Sequence, residues 1–328
     1  MNAATAPDRA PLSSWLPGYL ALAFVWGSSF LFIKVGVREL HPLYVTLGRV
    51  ASGALVVLLV LLVTRTKLPR DPKVWGHLAV TGALAALPFT LFGYGEQRIS
   101  SVLAGIWNAT TPLFVLPIGA LVFGTERMTL RRVAGVLFGF VGVLVVLGVW
   151  QGVGGVQLTG QLMCLSAAVC YGVVIPYQRK FLSGVPGSGV PAGQLLMATL
   201  MLLIVAPLIA GPPPAPATLS PDVIGSVLAL GALGTGLAFV LNFRVIRYAG
   251  ANTSASVTYL SPIVATLIGL VVLGERISWY QPVGAAIVLG GVAVSQGLLR
   301  WPARRRAAEL PSEPVQRGES VQAPAGSA

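Results

Sequence analysis

The sequence predicts an all-α integral membrane protein of ten transmembrane helices, arranged as two inverted five-helix repeats. Three observations carry this. Hydrophobic residues make up 55% of the 328 residues and charged residues only 10%, with a mean hydropathy of +0.80, whereas an average soluble domain is about 25% charged. One phrase is written twice: ATTPLFVLPIGALVFGTER from Ala109 and YLSPIVATLIGLVVLGER from Tyr259 each hold a proline, an apolar run, then glycine, glutamate and arginine. Positive charge also gathers at alternate connections between the apolar runs.

A bilayer core of about 30 Å asks for about 20 apolar residues per helix, and helices satisfy the backbone where lipid offers no hydrogen-bond partner. The first run, 16–36, follows MNAATAPDRAPLSSW, which holds one arginine and no small-residue cleavage site. It reads as a retained helix behind a cytoplasmic N-terminal segment, 1–15. Runs at 43–63, 75–95, 100–123 and 130–150, punctuated by charge, glycine and proline, complete a first repeat, 16–150. Runs at 158–178, 193–211, 222–243, 252–273 and 280–299 form the second, 158–299. GPPPAPATLSPD at 211–222 is the longest proline-rich connector, and 300–328 reads as a cytoplasmic, basic, disordered tail.

Pro88, Pro112, Pro117, Pro176 and Pro262 interrupt helices, and Gly234 with Gly236 loosens the eighth. Such breaks act as hinges or as kinks that neighbouring helices accommodate. Gly135-x-x-x-Gly139 permits close helix approach, inside the bundle or at a homodimer face. Cys164 and Cys170 stand six apart on one helix and suggest neither a disulfide nor a metal site.

The repeat extends beyond the phrase. Laid on the sixth helix, Trp26-Gly27 of the first meets Tyr171-Gly172 and Lys34 meets Arg179; Gly135 and Gly142 of the fifth meet Gly284 and Gly291 of the tenth. Five crossings is an odd number, so the second copy enters from the opposite side, with a pseudo-two-fold axis in the membrane plane. Basic residues agree: fifteen fall in the connections and the C-terminal flank on the side of the termini and only Arg38, Arg98 and Arg276 in the connections on the other, which puts both termini in the cytoplasm. The formal charge of +12 is thus mostly a topology signal and an attraction to anionic lipid headgroups, not a nucleic-acid footprint.

Trp26 to Phe30 (WGSSF), LGR at 47–49, YGEQRISSVLAGIWNATTP running into GTERMT, and SVTYLSPIVATLIGLVVLGERIS in the second half resemble EamA-type permeases of the drug/metabolite transporter superfamily. The resemblance covers about 16–299, with its weakest match at the seventh helix, where Ala198 stands opposite Arg49. It implies a multi-pass permease of a bacterial inner membrane that moves small organic metabolites, commonly as an exporter.

Two similar halves of opposite orientation have two nearly equivalent packings, one open to each side, which is the logic of alternating access around a shared site. Candidates for that site are the polar and aromatic residues inside the spans, since pockets for small organic molecules are largely apolar with a few polar anchors: Trp26, Ser29, Lys34, Arg49, Tyr94, Glu96, Trp107, Asn108, Tyr171, Gln178, Asn242 and Tyr259. Arg49 lies deep for a charge, and intramembrane charges usually find a partner, so Arg49 or Lys34 either pairs with Glu96 and lines the cavity or snorkels to the headgroups. Glu126 and Glu275 read as helix-end residues at a turn beside an arginine, and Ser278 with Gln281 as a capping box. Packing is the first reading of any single aromatic, and Trp26 and Tyr171 stand apart because the repeat places them on symmetry-related sites. Neither HExxH, GxSxG nor a Walker-type loop occurs, and His41 and His77 fall at opposite faces. No catalytic residues, cofactor or metal are therefore expected; the partners are a small-molecule substrate and the lipid bilayer. A channel, or an enzyme embedded in the membrane, is the alternative.

Overall fold

The computed structural model describes residues 11–151, 155–185 and 189–297, and these form helices and connecting turns only. Helices α1 (Leu12–Gly36), α2 (Pro42–Thr64) and α3 (Pro72–Glu96) each cross in one piece. The fourth crossing is assembled from α4 (Ser101–Asn108), α5 (Thr111–Ile118) and a π-helical turn (Gly119–Phe123), and α6 (Leu130–Leu147) completes the first half. The second half holds α7 (Gly155–Phe181) and α8 (Gly189–Ala210), then α9 (Pro221–Gly231), a π-helical stretch (Ala232–Leu237) and α10 (Ala238–Ala249) in a single crossing, and finally α11 (Ala251–Val272) and α12 (Tyr280–Ser295). Nine of the crossings are long and apolar enough to span a membrane, and α12 is a shorter apolar helix that makes the tenth.

Local chemistry sets the ends. Pro42 and Pro72 open their helices, where a missing N–H costs nothing; His41 Nδ1, Asp71 Oδ1, Ser100 Oγ and Thr129 Oγ1 accept from first-turn amides. Pro112 has no N–H for the carbonyl of Asn108, and the fourth crossing breaks there. The eighth crossing loosens at the Gly234-x-Gly236 pair, where the π-helical stretch forms. Several boundaries depart from expectation: α1 begins at Leu12, directly after Pro11, α8 begins at Gly189, α10 runs on to Ala249, and α12 ends at Ser295, before Gly297 turns the chain at φ +80°. Residues 1–10 and the tail at 300–328 lie outside the described residues.

The outer surface is apolar. Leu121 and Val271 are 79% and 81% exposed, the placement expected where the surrounding medium is hydrocarbon. Inside, packing obeys the two-fold relation of the halves. A Cβ on Gly135 would collide with the backbone of Gly291 and Ser295, and one on Gly142 with the backbone of Gly284 and Val288. Because Gly135 and Gly142 correspond to Gly284 and Gly291, exchanging the halves converts one contact into the other. The axis runs between α6 and α12. Gly27 against Val264 and Gly172 against Phe114 form a second interchangeable pair, on the α1–α11 and α5–α7 contacts. The Gly135-x-x-x-Gly139 stretch therefore serves inside the bundle, Gly135 facing α12 and Gly139 facing Leu113.

The connection that carries Glu126 marks one face of the bundle, shared with the start of α1 and the end of α12. The connection that carries Glu275 marks the other. In the repeated phrase, Gly124 and Gly274 both adopt left-handed φ, +67° and +62°, to turn the chain into these glutamates.

Candidate functional site

A cavity of about 770 Å³ lies between the halves, lined from both: Trp26, Ser29 and Phe30 of α1, Arg49 of α2, Phe89 and Phe92 of α3, Asn108 and Thr111 at the α4–α5 break, Tyr171 and Gln178 of α7, Gln194 of α8, Thr235 of the π-helical stretch, Phe239 and Asn242 of α10, and Thr258 and Ser261 of α11. This volume suits a small organic molecule. Glu126, Arg132, Arg179 and Gln296 line its mouth on the Glu126 face. Ile33 and Phe92 mark its floor, one turn short of the ends of α1 and α3 on the Glu275 face.

Arg49 is the eighth residue of α2, about 10 Å in from the Glu275 face at 1.5 Å per residue. Its Nε donates to Thr235 Oγ1 at 3.0 Å, and its guanidinium lies 3.7 Å above the Phe89 ring, a cation–π arrangement favourable in a desolvated site. Among the described residues it forms no salt bridge. Lining charges are Arg49, Arg132 and Arg179 against Glu126 alone. The cavity is therefore electropositive, with one cation near its floor whose terminal nitrogens have no carboxylate.

Amides furnish the neutral anchors. Gln178 Nε2 donates to Gln194 Oε1 at 2.6 Å, and Gln194 Nε2 to the Thr81 carbonyl at 3.4 Å. Ser254 Oγ donates to Asn242 Oδ1. Each amide is thus held in place by a neighbour while its residue lines the cavity.

Of the residues named from sequence, Trp26, Ser29, Arg49, Asn108, Tyr171, Gln178 and Asn242 line the cavity, and Lys34, Tyr94, Glu96, Trp107 and Tyr259 do not. Trp107 is fully buried in the core beside Phe30 and Leu113. Tyr94 turns to His41, Oη to Nε2 at 3.1 Å, and Tyr259 packs against the core with its hydroxyl buried. The expected ion pair is absent among the described residues: Lys34 Nζ donates to the carbonyls of Glu96 and Ile99 instead of to a carboxylate. The last carbonyls of a helix have no partner within it and carry its negative dipole end, so a lysine is drawn to them. Both Glu96 carboxylate oxygens are buried without a hydrogen-bond partner among the described residues.

Glu126 and Glu275 make more of their helix ends than a turn. Glu126 accepts from Arg132 (3.1 Å) and from Arg179, while Glu275 accepts from Ser101 N (2.8 Å), Ser101 Oγ (2.9 Å) and Val102 N (3.0 Å). The Ser278 amide donates to Gln281 Oε1 at 3.2 Å, one of the two bonds of a capping box; the Gln281 amide donates to the Ser278 carbonyl and not to its hydroxyl.

Sequence reasoning passed over Thr235, Gln194, Arg132 and Phe89. A hydroxyl between two glycines and a lone glutamine in an apolar span were visible signals for the first two. Nothing in the sequence marks Phe89 as the ring beneath Arg49.

A model of the EamA-like transporter family matches residues 13–148 and again 158–296. The chain is 28% identical to the uncharacterized inner membrane transporter YedA of Escherichia coli, covering 87% of this chain and 91% of that one. It is 25% identical to the uncharacterized transporter YoaV of Bacillus subtilis (84% and 94% covered) and 24% identical to a probable amino-acid metabolite efflux pump of Salmonella typhimurium (85% and 94%). One protein crystal structure superposes over 88% of this chain and 99% of its own, with a TM-score of 0.62 at 23% identity, a likeness of fold.

Proposed function

The chain belongs to the EamA-like transporter family, and on that premise we propose that it is an inner-membrane secondary transporter working by alternating access. Its substrates are small organic metabolites that carry a carboxylate beside an apolar or aromatic portion, amino acids and drug-like acids among them. The observation that carries this reading is Arg49: a buried cation in a cavity of about 770 Å³ between two inverted halves, with a neutral hydroxyl as its hydrogen-bond partner. A substrate carboxylate would complete it, the guanidinium fork offering paired donors, while Trp26, Phe89 and Tyr171 contact the apolar part. Arg65, Lys67, Arg127, Arg131, Arg179 and Lys180 lie at the Glu126 face, which supports a cytoplasmic assignment for it. The cavity then opens inward and loads for export, in keeping with the efflux pump named among the relatives.

The test uses the full chain in proteoliposomes with a panel of labelled amino acids and aromatic acids. An unlabelled substrate on the opposite side should accelerate exchange of the labelled one, which a pore cannot support. The amide of the same compound should be carried markedly more slowly. Flux that ignores the trans compartment would favour the channel reading, and equal flux of acid and amide would remove the carboxylate from the proposal.

A further inference from the structure

On the Glu275 face the turn between α3 and α4 is gripped from both sides. Lys34 of α1 donates to the carbonyls of Glu96 and Ile99, the latter at 2.8 Å. Glu275, reaching over from the other half, accepts from Ser101 N, Ser101 Oγ and Val102 N. A cation on the last carbonyls of one helix and a carboxylate on the first amides of the next each suit the local dipole. Neither Lys34 nor Glu275 lines the cavity, which stops short of them.

Their counterparts in the inverted repeat are Arg179 and Glu126, and on the Glu126 face these two bond to each other, with Arg132 as a third member. Both line the open mouth. The loops are built alike: Gly119 O accepts from Thr125 N at 2.8 Å and Gly269 O from Glu275 N at 3.0 Å. Each glutamate also folds over its own glycine, a Cβ on Gly119 falling 2.9 Å from Glu126 Cγ and one on Gly269 falling 2.8 Å from Glu275 Oε2. One device thus stands in two settings, gripping a turn at the closed face and self-paired at the open one.

We propose that Lys34, Glu275, Arg179 and Glu126 are the gate of this protein and that the two settings trade places during transport. Closing the Glu126 face carries Arg179 to the carbonyls at the end of α10 and Glu126 to the first amides of α11. Opening the Glu275 face releases the α3–α4 turn, and Lys34 and Glu275 then pair with each other. In either setting each of these four charges keeps a charged or dipolar partner, so the exchange strands none of them in a poorly solvated place, and the two states stay close in energy. The proposal rests on alternating access.

The test uses the full chain in membranes, with Cys164→Ala and Cys170→Ala removing the native thiols and Arg127→Cys with Ala251→Cys reporting closure of the Glu126 face through a short bis-maleimide. Glu126 itself stays intact. Cross-linking should be slow in this background, and Glu275→Gln should speed it about tenfold or more, the effect of losing hydrogen bonds to a charged group. Lys34→Met, which frees the carbonyl end of the same turn, should act in the same direction. If both variants run as single gel-filtration peaks and leave cross-linking unchanged or slower, the gate is wrong. A separate thiol in the cavity, Asn242→Cys, is probed with an impermeant maleimide from each side. Labelling from both sides with unmoved cross-linking would sink the gate alone, whereas labelling from one side under every condition would sink alternating access itself.

Discussion

Arg49→Met is expected to lower substrate exchange in proteoliposomes about ten- to a hundredfold, the loss of a charged hydrogen-bonded contact worth about 1.5–3 kcal/mol, while the melting temperature stays level or rises. The two readouts should part company for a physical reason. Arg49 sits among Phe89, Thr235 and the α2–α9 contact with its charge desolvated and no salt bridge among the described residues. A methionine fills much the same volume, so removing the ion relieves a burial cost instead of opening a cavity. Lysine keeps the charge but not the planar fork or the stacking on Phe89, and should recover only part of the exchange. Unchanged transport of acids by Arg49→Met, measured on protein that melts as a single species, would remove Arg49 from the site.

The largest stability effect should come from Gly291→Leu. A Cβ there would fall 2.5 Å from Gly139 Cα and 2.6 Å from the Gly135 carbonyl, all backbone, so only separation of α6 from α12 can relieve it. Overpacking of this kind costs about 1–3 kcal/mol, and more when backbone must move. Because α12 packs chiefly on α6, its displacement also disturbs the two-fold axis and should abolish transport. Gly290→Leu is the control one residue away: its Cβ would meet only Phe138 Cε1 at 3.5 Å, and the melting temperature should correspond to a change within about 0.5 kcal/mol. Equal melting of the two variants would mean that the helices do not approach as described.

Much of the fold was legible. Long apolar runs admit few alternatives in lipid, and an odd number of crossings per repeat forces inversion, so composition and one repeated phrase led to the family and the architecture. The repeat also pointed to particular packing. Gly135, Gly142, Gly284 and Gly291, aligned from the halves, turned out to face one another as a two-fold axis demands. The broken fourth and eighth crossings were visible in Pro112 and the Gly234–Gly236 pair. Less legible was whether a given proline breaks its helix: unlike Pro112, Pro88, Pro176 and Pro262 sit inside uninterrupted α3, α7 and α11, and Pro117 lies within α5, so four of the five expected interruptions do not break the helix at the proline.

The site separated along a different line. Trp26 and Tyr171, counterparts in the repeat, both line the cavity, yet Trp107 and Tyr259, equally aromatic and equally central in their spans, face the core. In a helix apolar on every side, no periodicity distinguishes the face turned to a pocket from the face turned to a neighbour. Lys34 and Glu96 illustrate the same gap for charge: opposite signs at one depth suggest a pair, but the terminal carbonyls of α3 compete for the lysine and hold it.

What the sequence by itself determined is the set of quantities that chain order and solvent preference control: ten lipid-crossing helices, two related halves, their opposite sense, and the residues that must correspond. Only tertiary structure decided which of those corresponding residues stand in different states. Lys34 and Arg179, or Glu275 and Glu126, are equivalent in the repeat, and no reading of the chain could tell which pair grips a helix turn and which lines an open mouth. That difference arises because two related halves packed around one cavity cannot both be closed while the cavity is open to one side; the asymmetry belongs to the assembled bundle, not to either half.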